Sequence, residues 1–289
     1  MSKALTTVEE ALRHVASLLE GAGIEQSWRE ARILLGHVTG QPRERLLLYH
    51  RSEMEELVLN DLIGLARRRA AREPIAYLIG EREFWGLSFE VSRDTLIPRP
   101  DSETLIEAVL HFTNRTRQER PHILDFGVGS GCLLVSLLTE MPFAEGFGVD
   151  LSFAALRIAR RNAVRHDVST RAHFFVGSWG DAVAPPFDLI IANPPYVAAD
   201  ERAAIMLDVR EYEPAEALFA GVRGDEAYCA LAPDFCRLLS PGGRVFVEFG
   251  AGFADRAASI LRRAGLSECE RRKDLAGIER CGIFERAGM

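Results

Sequence analysis

The sequence predicts an α/β fold: a mostly parallel sheet with helices on both faces, preceded by a small helical bundle and a short β-hairpin. Three observations carry this. From residue 121 onward, short apolar runs alternate with segments of helical period, the pattern of parallel strands joined by crossover helices. The first eighty residues carry helical spacing alone. Between 81 and 97 the period changes to that of strands, around Gly86. The expected divisions are therefore 1–80 for the bundle, 81–98 for the hairpin linker and 99–289 for the α/β domain. A chain of 289 residues is long enough for one large or two ordinary domains.

Thr7 caps a first helix with Val8, Leu12, Val15, Leu18 and Leu19 on one face, ending near Gly21-Ala22-Gly23. Ser27 and Trp28 open a second, with Ala31, Leu34 and Leu35, which stops at Gly40-Gln41-Pro42. A third short piece covers 43–49. A longer one covers 53–72, with Leu57, Leu62, Ile63, Leu65 and Ala66 inward, until Pro74 breaks the pattern. After the hairpin, residues 97–103 form a stiff, extended lead-in, and Ser102 is placed to cap a helix through Leu105, Val109 and Leu110. The alternation then gives strands at 122–126, 146–150, 172–176, 187–192 and 244–248. Helices are expected at 131–140, 153–165, 225–239 and 253–264, and final strands near 268–272 and 282–285.

Composition narrows the function class. Hydrophobic residues make up 47% and charged residues 27%, as in an ordinary soluble protein, and the net charge of −7 favours a protein or small-molecule partner over nucleic acid. The five cysteines include no C-x-x-C pair, so neither a disulfide framework nor a zinc site is expected, and a reducing cytoplasm fits. The seven histidines are scattered, with no metal-ligand spacing. No secretory signal is read at the N-terminus, and the longest apolar run, 132–138, is too short to cross a bilayer. The arginine rows Arg67-Arg68-Arg69 with Arg72, and Arg157, Arg160, Arg161 and Arg165, read as solvated helix faces.

Two motifs carry the chemistry. Gly127-Val128-Gly129-Ser130-Gly131 joins a strand to a helix, where glycine permits a tight turn and close approach of a ligand to the main chain. Asp150 ends the next strand, placed to accept from both ribose hydroxyls of an adenosine. A dinucleotide fingerprint would carry a third glycine at position 132. Cys132 stands there instead, which favours S-adenosylmethionine. Trp179 follows the third strand and could cover an adenine. The plain alternatives are an empty β–α turn, a helix cap at Asp150 and an ordinary buried aromatic at Trp179.

The second motif is Asn193-Pro194-Pro195-Tyr196, at the end of the strand over 187–192. Asn193 offers a side-chain carbonyl, and Pro194 a main-chain carbonyl with no N–H beside it. Two such acceptors could hold both hydrogens of a planar NH₂ group while Tyr196 stacks on it. The plain alternative is a stiff loop. Together the motifs imply methyl transfer to an amide or a base amine, with catalysis by positioning.

These motifs, with 73–80, 83–87, the Pro98-Arg99-Pro100-Asp101-Ser102-Glu103 stretch and the late Asp274-Leu275-Ala276-Gly277, resemble the bacterial release-factor glutamine methyltransferases, the PrmC/HemK family. The resemblance covers nearly the whole chain. It implies a Rossmann-like seven-stranded methyltransferase domain and a helical bundle that docks the substrate. That substrate would be the glutamine of the Gly-Gly-Gln loop of class 1 peptide chain release factors. It further implies S-adenosyl-L-methionine bound by Gly127 to Gly131, Asp150, Trp179 and Asn193, with S-adenosyl-L-homocysteine as product. Substrate contacts would come from Asn193, Pro194, Pro195 and Tyr196, with Asn193, Pro194 and Tyr196 catalytic and no metal. A monomer acting without nucleic acid or membrane is expected. Phe253 stands where relatives often have glutamine, which leaves the start of the helix there open. Glutamine methylation of a ribosomal protein, amino-methylation of adenine or cytosine, and a non-catalytic binding module are the alternatives.

Overall fold

In the computed structural model, residues 7–42, 45, 51–116 and 120–288 are described. Helices α1 (Val8–Gly21), α2 (Ser27–Thr39), α3 (Glu56–Ala70) and α4 (Ile75–Ile79) open the chain. The short piece expected over 43–49 lies, but for Arg45, outside the described residues. Thr7 starts α1 with a reciprocal cap: its hydroxyl accepts from the Glu10 N–H, and its own N–H donates to the Glu10 carboxylate at 2.9 Å. Val15, Leu19, Leu34, Leu35, Leu62 and Ala66 form the shared core.

Two expectations fail in α3. Leu57 is exposed, because five positions before Leu62 it sits roughly 140° around the helix; Val58 and Leu59 face inward instead. The arginine row is a solvated face only in part, at Arg67 and Arg68. Arg69 is buried, paired with Glu30 at 2.6 Å and Asp208 at 3.5 Å. Arg68 pairs with Glu73, and Arg72 donates to the Ala22 carbonyl. The Tyr212 hydroxyl donates to the Ala71 carbonyl, so Met206–Tyr212 packs with these helices. Met1–Gly80 with Met206–Tyr212 makes one compact unit; Glu81–Ile205 with Glu213–Met289 makes the other.

The second unit begins with a hairpin, β1 (Glu81–Phe84) and β2 (Leu87–Glu90), paired Phe84 to Leu87. Its two turn residues, Trp85 and Gly86, have φ of 53° and 69°, the backbone that twists a two-residue turn correctly. Next come α5 (Glu103–Thr116), β3 (His122–Phe126), α6 (Cys132–Glu140), β4 (Glu145–Asp150), α7 (Phe153–Arg165), β5 (Ala172–Val176) and β6 (Phe187–Ala192). The remainder is a small pair, β7 (Val197–Ala198) and β8 (Phe219–Gly221), the helix α9 (Ala215–Leu218), α8 (Leu207–Tyr212) before it belonging to the first unit, then α10 (Glu226–Leu238), β9 (Leu239–Glu248), α11 (Ala254–Arg263), β10 (Leu266–Lys273) and β11 (Glu279–Arg286).

Seven strands pair in the order β10-β11-β9-β6-β3-β4-β5, with β11 alone antiparallel to its neighbours. Alternate residues face opposite sides. Ile123, Leu189, Ile191 and Phe246 pack with α5, α6 and α7, while Leu124, Ile190, Val245 and Val247 pack with α10 and α11. The strand order turns at β3, which has β4 on one side and β6 on the other, so a crevice opens at the C-terminal ends of these strands.

The strand expected at 244–248 starts earlier, at Leu239. Phe187 pairs with Leu239 and Leu189 with Arg244, so 240–243 bulge out of the ladder. The second arginine row is the exposed face expected, and two of its members also make contacts: Arg161 grips the Glu90 carboxylate, and Arg160 donates to the Phe174 carbonyl. Between them, buried Asn162 donates to the carbonyls of Glu90 and Ser130 and accepts from the Glu90 N–H, fastening the hairpin to the glycine turn. Among the described residues no helix is long and apolar enough to cross a membrane.

Candidate active site

At the crevice lies a cleft of about 610 Å³. Gly127, Gly129, Asp150, Trp179, Asn193, Pro194 and Pro195 all line it, so both motifs open into one space. Gly127, Gly129 and Gly131 have φ of 71°, 54° and 82°, which side-chain-bearing residues rarely adopt. The N–H groups of Gly127 and Val128 both donate to the Val149 carbonyl, pinning the turn to β4. Val128, Ser130 and Gly131 do not line the cleft. Val128 is buried in the core, Ser130 gives its carbonyl to Asn162, and Gly131 packs against Ala159.

Asp150 is not the cap of α7. Ser152 takes that role, its hydroxyl accepting from the Ala155 N–H at 3.1 Å. The Asp150 carboxylate instead accepts from the N–H groups of Ser152 and Gly129, at 2.8 and 2.9 Å. Burial pushes its pKa up, against those hydrogen bonds. Asp125, at the end of β3, is fully buried, and burial followed by its neighbour Asp150 pushes its carboxyl well above the usual range. Trp179 also adopts a positive φ, 47°, with its ring edge-on to Phe126.

Asn193 follows the last residue of β6, and its Nδ2 donates to the Ser102 hydroxyl at 3.3 Å. Ser102 therefore does not cap α5; it ends a 3₁₀ turn, Pro100–Ser102, and is buried. Glu248, buried at the end of β9 with its Oε2 unpartnered among the described residues, has its pKa pushed up to about 7 by that burial. Tyr196 lies outside the cleft lining, half-buried over Gly250: a Cβ at 250 would come within 2.6 Å of its ring. The Pro98-Arg99-Pro100 stretch is anchored by Glu213, which accepts from the Ile97 N–H at 3.0 Å and from Arg99 at 2.6 Å. Asp101 pairs with Arg280.

Residues 10–80 match the family described as PrmC N-terminal domain, and 102–210 match the methyltransferase small domain. A release factor glutamine methyltransferase of Rhodospirillum rubrum is 41% identical over 268 residues, covering 93% of this chain and 82% of the relative. One from Bradyrhizobium diazoefficiens is 41% identical over 276 residues, covering 95% and 93%. The chain belongs to the release factor glutamine methyltransferase family. A methyltransferase structure from Pyrococcus furiosus shares the fold, with a TM-score of 0.50 at 20% identity over 77% of this chain and 99% of that one.

As a member of this family the protein is an S-adenosylmethionine-dependent methyltransferase, and its cleft fits that cofactor. A Cβ at Gly127 would meet nothing within 4 Å, and one at Gly129 only the Gly127 carbonyl at 3.9 Å, so the missing side chains leave open main chain facing the cleft. Asp150 keeps lone pairs beyond the two N–H groups it already accepts. The open point at Phe253 resolves through packing: its ring stacks on Tyr228 with centroids 5.6 Å apart, its N–H donates to the Gly250 carbonyl, and α11 begins at Ala254.

Sequence reading missed several residues of this methyltransferase. Arg93, Asp94, Thr95 and Leu96 line the cleft from before α5, and Pro214, Glu216 and Ala217 from around α9. No local pattern marks them. Glu248 did carry a signal: an acidic residue ending a buried apolar strand.

Proposed function

We propose that this protein transfers a methyl group from S-adenosylmethionine to the side-chain nitrogen, N5, of the glutamine in the Gly-Gly-Gln motif of class 1 peptide chain release factors. The observation that carries the reading is the meeting of Asn193-Pro194-Pro195 with Gly127, Gly129 and Asp150 in one cleft. When bound, the cofactor supplies an electrophilic sulfonium methyl. An amide nitrogen is a weak nucleophile because its lone pair is delocalised, so geometry has to supply the rate.

In this reading Gly127, Gly129, Asp150 and Trp179 hold the donor. The Asn193 side-chain oxygen and the Pro194 carbonyl accept the two hydrogens of the glutamine NH₂ and aim its lone pair at the methyl. Pro195 stiffens the stretch, and Tyr196 packs against Gly250 and steadies it from outside the cleft lining. A carbon–nitrogen bond forms as the carbon–sulfur bond breaks. The products are N5-methylglutamine, S-adenosylhomocysteine and a proton released to solvent. Both acceptors also stabilise the nitrogen as it turns positive, a preorganised electrostatic effect. We assign substrate docking to the N-terminal helical unit, in keeping with the relatives' names and the match over 10–80.

The test is mass spectrometry of a recombinant class 1 release factor after incubation with this protein and S-adenosylmethionine. A gain of one methyl on the Gly-Gly-Gln glutamine is expected. Methylation of a ribosomal protein or of DNA instead, with the release factor untouched, would overturn the assignment.

A further inference from the structure

We propose that Glu213 is a positioning residue that closes a ring of loop segments around the cleft and so holds Asn193 in place against the donor. The inference rests on the methyl-transfer reading above and adds one residue to its machinery. Glu213 is not part of the cleft lining; it acts from behind it.

Three stretches outside the seven-stranded sheet line the cleft: Arg93 to Leu96, Asn193 to Pro195, and Pro214 with Glu216 and Ala217. The structure joins them end to end. The first meets the second through the 3₁₀ turn Pro100–Ser102, where the Asn193 Nδ2 donates to the Ser102 hydroxyl at 3.3 Å. The second meets the third because each runs into one strand of a small pair: Val197 of β7 pairs with Phe219 of β8, and Ala198 with Gly221. Glu213 joins the third back to the first. One carboxylate oxygen accepts from the Ile97 N–H at 3.0 Å and the other from Arg99 at 2.6 Å. Asn193 therefore belongs to a closed circuit, and a carboxylate makes its last joint.

The sequence explains why a side chain has to make that joint. Pro98 and Pro100 carry no N–H, so 97–100 has main-chain donors only at Ile97 and Arg99 and cannot zip into a strand ladder. Ile97 is buried, and its N–H needs an acceptor. Glu213, whose side chain is 1% exposed, provides one and takes the guanidinium on its other oxygen. The wall beyond it is equally dependent. Helix α9 has four residues, too few to hold its own shape. Pro214 stands between, its ring fixing φ at −61°, so the anchored carboxylate and the wall move as one piece.

The joint needs two acceptors rather than bulk. Glutamine has the shape of glutamate but only one acceptor oxygen. At 213 its NH₂ would face either the Ile97 N–H or the Arg99 guanidinium, donor against donor, and one bond would open. The glycine turn and Asp150 are tied to Val149 and to each other instead, outside the circuit. Opening the joint thus displaces Asn193 without undoing the seat of the donor.

The experiment uses full-length protein, comparing wild type with Glu213→Gln, Arg99→Ala and the two combined. Amide hydrogen exchange read by mass spectrometry needs no substrate. Glu213→Gln should speed exchange by about 10-fold or more in peptides covering 93–99 and 214–221, and leave those of β3, β4 and β6 at wild-type rates. Unchanged exchange in both segments overturns the proposal. So does a rise throughout the sheet, which marks a residue that merely supports the fold.

Turnover is then measured with S-adenosylmethionine and a class 1 release factor. The kcat of Glu213→Gln should fall roughly 10- to 100-fold, the scale of a misplaced catalytic contact. KM for the release factor and the calorimetric Kd for S-adenosylhomocysteine should stay within about 3-fold. The double variant should be no slower than the slower single one, because both open the same joint. A kcat within about 2-fold of wild type, or a loss carried by KM or Kd, overturns the proposal. Wild-type protein that leaves release factor unmethylated defeats the substrate reading instead, and the exchange measurement still decides the role of Glu213.

Discussion

On the glycine side of the cleft the main chain does the shaping; on the Asn193 side three side chains from distant segments do. Gly127 and Gly129 present bare backbone, held by the Val149 carbonyl and the Asp150 carboxylate. On the other side Asn193 donates to the buried Ser102 hydroxyl, 91 residues away in the chain, and buried Glu248 ends the neighbouring strand. The first arrangement asks only that its positive-φ positions stay glycine and that a strand ends beside them. The second is brittle, since one lost group leaves its partner buried and unpaired.

This contrast can be broken by mutation, and the largest effect is expected at Asn193. Asn193→Ala should cut turnover by about two orders of magnitude or more while leaving the Kd for S-adenosylhomocysteine within a few-fold, measured by methyl transfer and calorimetry. Gly250→Ala should lower kcat about 10-fold, because the new methyl would press into the Tyr196 ring, and Tyr196 fluorescence should report the displacement. Asp150→Ala acts on the other side and should separate from both. It should weaken cofactor binding by about 1–3 kcal/mol with the smallest change in kcat at saturation.

The smallest effect is on stability. The Glu248 pKa is raised from 4.5 to about 7 in the fold. The native state thus binds a proton more tightly than the unfolded chain, and stability falls as pH rises from about 4.5 to about 7, then levels off. Glu248→Gln removes that penalty. Its Tm should match or trail wild type at pH 5 and exceed it by a few degrees at pH 8, with a ceiling of about 3 kcal/mol. A Tm gain on losing the carboxyl marks a buried acid held at a cost in stability.

Legibility in the sequence follows the same division. The strands at 122–126, 172–176 and 187–192 and the cap at Thr7 are local patterns, and the structure has them at those residues. The glycine turn and Asp150 are also local, and their meeting follows from two consecutive βα units. Ser102 was misread as a cap because a serine before a helix is an ordinary cap, and its true partner lies 91 residues away. Arg69 of α3 was misread for the same reason, since its partner Glu30 is not visible from the helix that carries it. Leu57 failed on phase alone.

The bulge in β9 has a consequence for how this protein can change length. Beyond it, β9 runs in fixed register with β6, Ala192 against Val247, which puts Glu248 level with Asn193. A slip of one residue would bring Val247 or Phe249 to that level and replace an acid with an apolar side chain. Residues 240–243, outside the ladder, act as slack upstream of that alignment. Insertions or deletions there can be absorbed before the strand locks, so the loop after α10 is free to drift while the reactive level stays where it is.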